Sequence, residues 1–501
     1  ESQPQRLEDL LATKEAEITR LKEEVTVLSS EKEQLEAALE ALDSQLKEAQ
    51  RSKATYADGT SQEPSPPLPI EKNLSIAEAR PAKIADSPTM LQGPPNPAEL
   101  KPCDQVAAIR QERQQGIQST SMREMFLGCV ELLAADIYAS RAHFVLELLQ
   151  NADDNEYAEG VEPQAKFLLR AEGFGSYIAV VNNEIGLTAQ DVVGMCAISK
   201  SAKKEKADRT GRKGIGFKSV FAVSTCPHVL SGSYTFKFDV RNDRMGYVMP
   251  TWLEEEDLLK VPAELRRLHQ DGLTVIYLPL GDASEALLAE VEGHLEALDP
   301  ATLLFMRRLR RIDFQCVNGC RTSLCIQARG REGLEREAVT ETTCKAGCET
   351  SRKFEYFVGR RLATSAQHAP VPSRPLAIAF PVPGQPTDGQ DGKAMAPQRA
   401  FATLPLCHTG LGLCVNADWD VSASRDGVHE NAHNDQLSVD LAQAFADVSQ
   451  KLGTKLQPAS PVDYLGDRPP LSRFWRRVRE RFIGVLLDAD VPCLPVEDGA
   501  E

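Results

Sequence analysis

The sequence predicts an α/β fold: one sheet covered by helices, carried behind a coiled coil. Three observations point there. Heptad-spaced leucines fill residues 5–50. Helix-period and strand-period stretches interleave from about residue 105. A glycine-rich segment, Gly211–Gly216, leads into a further helical stretch. Mixed helices and strands with hairpin-like runs suit a sheet with helices packed against it.

Residues 5–50 hold no glycine and no aromatic residue. One seam takes Leu11, Ile18, Val25, Leu39 and Leu46, interrupted by Lys32. The other takes Leu7, Leu21, Leu28, Leu35 and Leu42, with Lys14 and Ala49 as weak members. Such a repeat makes a two-helix seam, and self-pairing into a homo-oligomer is the simplest partner. Residues 1–50 are therefore expected to be a coiled coil. Residues 51–104 lose this periodicity and gain proline, from Pro64 to Pro97, which reads as a disordered linker.

From residue 105 the chain reads as globular, with a first α/β region over 105–300 and a second α+β region over 301–465. In the first region, helices are expected near 122–139, 142–153, 189–198, 216–223, 254–269 and 283–298. Its strands are expected at 166–170, 177–181, 234–240 and 273–280. In the second region, short strands are expected near 312–317, 323–328, 353–358 and 376–380, with a helix near 435–452. Residues 466–501 close the chain with a helix over 471–487. Its five arginines, 473, 476, 477, 479 and 481, suit a docked amphipathic helix better than a nucleic-acid contact.

Charge and composition exclude other classes. The chain has 501 residues and a net charge of −16, of which −7 lies in residues 1–50. The mildly acidic remainder disfavours duplex nucleic acid as a partner. No apolar run reaches the ~18–20 residues of a membrane span. Twelve scattered cysteines without a leader suit an intracellular compartment, cytoplasmic or nuclear. The chain starts at Glu1 and reads as part of something longer. Cys316-x3-Cys320 and Cys344-x3-Cys348 have a wider gap than the common zinc knuckle, and buried thiols suit them better.

The most informative stretch is HFVLELLQNADDNEY, 143–157. On a helix, Glu147 and Asn151 share a face. A carboxylate and an amide together on an apolar helix need partners. An amide oxygen suits Mg²⁺, and a carboxylate polarises water. Downstream, GRKGIGFKSVF (211–221) carries three glycines before a helix, which lets backbone N–H groups approach phosphate oxygens. VVNNEIGLT (180–188) lies between, and a lysine-rich stretch from Lys200 to Lys206 precedes the glycines as a lid.

These motifs, with MGYVMPTW (245–252), stand in an order that resembles the GHKL ATPases (Bergerat fold), and within them the sacsin and NO VEIN branch. The resemblance is strong over 120–285. It continues weakly through AFATLPL (400–406), CVNADWDVSASRDGV (414–428) and PCLPVEDG (492–499). It implies a two-layer α/β sandwich that binds ATP with Mg²⁺. Glu147 would be the general base, Asn151 would hold Mg²⁺, and Asp154 would support nucleotide binding. Gly186 and Thr274 would lie at the adenine side. Lys200, Gly211, Gly214, Gly216 and Phe217 would meet the phosphates, and Arg425 would reach back to the γ-phosphate from the second region. Arg425 has a competing reading as the ion-pair partner of Asp420 or Asp426.

Asn182 stands where the superfamily usually has Asp; its amide oxygen accepts the same hydrogen bond without charge assistance. Glu184 replaces the first glycine of the usual motif. The function implied is a slow, chaperone-like conformational ATPase. The alternative is a nucleotide-gated scaffold that never turns ATP over.

Overall fold

The computed structural model describes residues 100–116, 143–171, 175–197, 216–241, 243–281, 284–327, 333–362, 375–383, 395–422, 427–456, 459–466 and 472–488, with Arg425 and a few other single positions between them. The chain divides into two units, Glu1–Met90 and Leu91–Glu501, and every described residue lies in the second. The coiled coil, nearly all of the linker, the 122–139 helix and the 200–213 lid fall outside the described residues, apart from isolated positions.

In chain order the elements begin with α1 (Pro102–Gly116), α2 (His143–Asp154), β1 (Gln164–Arg170), β2 (Tyr177–Asn182) and α3 (Ala189–Cys196). A 3-10 turn, Gly216–Ala222, precedes β3 (His228–Ser231), β4 (Tyr234–Phe238) and β5 (Pro250–Trp252). Next come α4 (Glu255–Leu258), α5 (Ala263–Gln270), β6 (Thr274–Pro279), α6 (Ser284–Glu296) and α7 (Thr302–Phe305). Then follow β7 (Arg311–Gln315), β8 (Arg321–Ile326), β9 (Gly333–Lys345), β10 (Cys348–Leu362) and β11 (Pro375–Pro381). The last are β12 (Arg399–Ala402), β13 (Leu404–His408), β14 (Cys414–Asn416), α8 (Ala432–Leu452) and α9 (Arg473–Asp488).

Among the described residues all fourteen strands join one mixed sheet, in the order β13-β12-β14-β11-β10-β9-β8-β7-β1-β2-β6-β3-β4-β5. The α/β expectation holds at this level. The joint between the two predicted regions is the parallel pair β1–β7, where Phe167 lies opposite Phe314. The sheet therefore crosses residue 300 without a break.

On one face α2 and α6 pack on the sheet through Phe144, Leu148, Val291 and Leu295, against Phe167, Ile178 and Val180. On the other, α5 sets Leu265 against Tyr177, Ala179 and Val181. β2 is buried at every position, so the sheet has helices on both faces there, where a two-layer sandwich has them on one. A second core gathers β11, α8 and α9, with Phe445 and Phe482 stacked at 4.4 Å between centroids.

Several elements depart from the sequence-based expectation for local reasons. The 254–269 helix divides into α4 and α5, because Pro262 lacks an N–H and disfavours helical backbone at Val261. α1 was hidden because its buried apolar residues are few, chiefly Val106 and Ile109. β9 was hidden because threonines and glutamates dominate its alternation. The turn into β10 places Ala346 and Gly347 at positive φ, which suits a tight hairpin. The arginine-rich α9 is docked: Phe474, Trp475, Val478 and Phe482 are buried. Arg481 pairs with Asp435 at 2.9 Å, and Arg477 with Glu430 at 3.1 Å.

Candidate functional site

α2 is apolar on the side that meets the sheet, where Phe144, Val145, Leu148 and Leu149 are buried. That packing turns Glu147 toward the 3-10 turn that begins at Gly216. A Cβ added at Gly216 would collide with the Glu147 carboxylate oxygen Oε2. Glycine there lets backbone and carboxylate lie side by side, and a larger residue would make the Glu147 side chain move. Phe217 anchors the turn in the core beside Phe238, with centroids 5.6 Å apart.

Arg425 arrives from the second region. Its loop is pinched by the bridge between Val421 and Val428, and Arg425 itself has φ 57, a left-handed backbone rare for a non-glycine residue. Arg425 Nη2 donates to Gln150 Oε1 at 2.8 Å, and Nε lies 3.8 Å from Glu147 Oε1. Its Nη1 is buried without a hydrogen-bond partner among the described residues. Burial pulls the guanidinium below its ordinary value, and the Glu147 carboxylate opposes that shift. Among the described residues, the side-chain partners of Arg425 are Gln150 and Glu147 on α2; Asp426 lies outside them.

A second group forms where β2 meets β6. Asn182 pairs with Thr274 in register, and both are buried. Thr274 Oγ1 is 2.5 Å from Ser231 Oγ, which accepts from the Leu187 amide at 3.0 Å. Gly186, at φ 97, lies against Gly232 of the neighbouring turn. Asn182 Oδ1 accepts from the Glu184 amide at 3.3 Å. Asp154 is fully buried at the end of α2, with Arg307 Nη1 3.7 Å away. Asn151 follows Glu147 by one turn on the same helix and is half-buried. Lys200, Gly211 and Gly214 lie outside the described residues.

The structure thus brings Glu147, Gly216 and Arg425 together, and separately Asn182, Gly186 and Thr274. It also supplies partners that the sequence reading passed over. Gln150 holds Arg425, and Ser231 links the two glycine turns to Thr274. Asp153 accepts the backbone N–H groups of Arg307, Arg308 and Leu309 at 2.8, 2.8 and 2.9 Å, tying α2 to the segment before β7. The only signal for Asp153 in the sequence was a carboxylate beside Asp154. A cavity of about 840 Å³ near this tie, lined by Tyr157, Arg307, Arg308 and Arg310, holds none of the predicted site residues.

Comparison with known proteins now bears on this geometry. The sacsin domain family profile matches residues 132–255, a span that includes Glu147, Asn151, Asp154, Asn182, Gly186, Gly216 and Phe217. Protein NO VEIN of Arabidopsis thaliana is 31% identical over 342 residues, which is 65% of this chain and 12% of NO VEIN. Both matches support a sacsin/NO VEIN-like family for this chain. Sacsin of Homo sapiens is 34% identical over 105 residues, 19% of this chain and 2% of sacsin. This sacsin/NO VEIN-like chain therefore spans a small part of the length of either relative. Arg425 and Thr274 lie beyond the matched domain.

One residue of the sacsin/NO VEIN-like motif GRKGIGFKSVF faces inward. Lys218 Nζ sits over the Phe238 ring at 4.4 Å, within 5.6 Å of the Phe217 centroid, and donates to the Tyr247 carbonyl. Burial pushes its ammonium down to about 7, with Cys196 opposing the shift and Arg113 adding to it. A base with a depressed folded value contributes stability above its unfolded value of 10.5 and loses it as pH falls toward 7. Stability should therefore fall as pH drops from 9.5 to 7 in a way that Lys218→Met removes. Urea midpoints across that range check it; parallel slopes for the two proteins would contradict it.

Among the described residues, no helix is long and apolar enough to cross a membrane.

Proposed function

We propose that this chain binds ATP with Mg²⁺ at the α2–Gly216 site and hydrolyses it slowly. The observation that carries the reading is the meeting of Glu147, the Gly216 backbone and Arg425. A carboxylate, a glycine-containing backbone turn and a buried guanidinium whose Nη1 has no hydrogen-bond partner among the described residues form the constellation a triphosphate and its attacking water need. The donor set fits the metal, since Asn151 and the neighbouring carboxylates offer hard oxygen ligands. Mg²⁺ would neutralise phosphate charge when bound.

The chain's own residues do the rest. Glu147 would take the proton from water. Gly216 would leave room for that carboxylate against the turn. Arg425, held by Gln150, would turn its Nη1 to the γ-phosphate. Asn182 and Thr274 would face the base. Phe217 fixes the turn, and Lys200, Gly211 and Gly214 would complete the lid. Because Arg425 joins the second region to α2, nucleotide state would be felt there, as a chaperone-like conformational ATPase requires. The heptads of residues 1–50 would oligomerise the chain in an intracellular compartment.

Calorimetry of the full chain with MgATP tests the reading. The wild type should bind, and Asn151→Ala should bind about tenfold or more weakly in the presence of Mg²⁺. Absence of binding by the wild type would remove the nucleotide reading altogether. One observation favours the scaffold alternative, in which ATP is bound and not turned over. Arg425 already lies 3.8 Å from the proposed base, an arrangement that would hold Glu147 away from water.

A further inference from the structure

α6 places Glu292 and Glu296 four residues apart, on one face of the helix. Its apolar residues Leu288, Val291 and Leu295 are buried, which brings that helix edge against the β7–β8 hairpin. The pairing of Gln315 with Arg321 continues one step further: the Cys316 amide donates to the Cys320 carbonyl at 2.8 Å. Directly opposed residues of a hairpin share a face. Both thiols therefore point to the helix-covered side, and they are 2% and 5% exposed. The tight turn between them needs Gly319, at φ 80.

One carboxylate oxygen each of Glu292 and Glu296 and the sulfur of Cys316 lie within 4.8 Å of one another. Tetrahedral bonds of ~2.0–2.3 Å put donors about 3.3–3.8 Å apart, so small side-chain rotations close this group on one ion. Asn318 braces it from the turn. Its Nδ2 donates to Glu292 Oε1 at 3.1 Å, and its Oδ1 accepts from the Cys320 amide at 2.8 Å. Such outer contacts orient metal-binding carboxylates.

We propose that Glu292, Glu296 and Cys316 bind a zinc-class divalent cation. A sulfur with two carboxylate oxygens selects a borderline-soft ion over Mg²⁺ or Ca²⁺. The site pins the end of α6 to the hairpin that continues the sheet from β7 into the second region. It differs from the four-cysteine arrangement weighed on the sequence. Cys344 and Cys348 flank the β9–β10 turn, half-buried and exposed, and belong to no metal-ligating group among the described residues.

Cobalt titration of the reduced, chelator-stripped full chain tests the site. The wild type should take up Co²⁺ with a thiolate-to-cobalt charge-transfer band that Zn²⁺ displaces. Cys316→Ser should abolish the band, and Glu296→Gln, at an exposed position, should weaken binding about tenfold or more. Cys344→Ser and Cys348→Ser should leave it unchanged. A wild type without the band, a band that survives Cys316→Ser, or one lost in Cys344→Ser would overturn the proposal. The Glu296 variant keeps the test decisive if Cys316→Ser folds poorly.

Discussion

Glu147→Gln should lower ATP turnover by about 10²–10⁴-fold while MgATP still binds, the range expected when a general base is removed. Glutamine keeps the size of glutamate, so the side chain still fits against Gly216, where no Cβ intrudes. It keeps an oxygen toward Arg425 and loses the charge that draws a proton from water. Turnover should therefore fall without loss of the pocket. Phosphate release beside calorimetry separates the outcomes. Unchanged turnover in Glu147→Gln would remove the base assignment. Binding without turnover in the wild type would establish the scaffold in its place.

Asp153→Ala should destabilise the protein by about 3–5 kcal/mol, the cost of breaking a buried charged hydrogen-bonded group. Asp153 has no exposed surface, and its carboxylate receives three consecutive backbone N–H groups from residues 307–309. Removing it leaves three backbone donors without their carboxylate acceptor, each worth about 1–3 kcal/mol before relaxation. Asp153→Asn keeps one acceptor oxygen and should lose less. Urea unfolding with an unchanged slope and a lowered midpoint is the expected readout. A loss below ~1 kcal/mol in Asp153→Ala would mean that the 307–309 backbone finds other partners.

These two acidic residues show where the sequence was legible. Glu147 was singled out because a carboxylate and an amide one turn apart on an apolar helix demand an explanation. Asp153 carried no such mark. Its purpose depends on a segment more than 150 residues away, and no local pattern announces that meeting. Lys218 makes the same point in reverse. Its motif drew attention to phosphates, yet the ammonium lies over the Phe238 ring. The four spaced cysteines were expected to be buried thiols, which holds for Cys316 and Cys320 and not for Cys344 and Cys348, and the groups that meet Cys316 are two glutamates on α6.

By itself the sequence determined the helices and strands with strong periods, the order of the motifs, and the sacsin/NO VEIN-like kinship. The elements follow from side-chain spacing within one turn or one pleat, and the kinship from the residues of the motifs themselves. Only the tertiary structure decided that one sheet runs through both regions by the parallel β1–β7 pair, and that α5 covers its second face. Only it brought Arg425 to Gln150 across 275 residues. The physical reason is that strand pairing and the placement of a long charged side chain depend on which distant surfaces bury one another. That is a property of the packed whole, set by apolar burial and by the need to satisfy every buried donor, and no short window of sequence contains it.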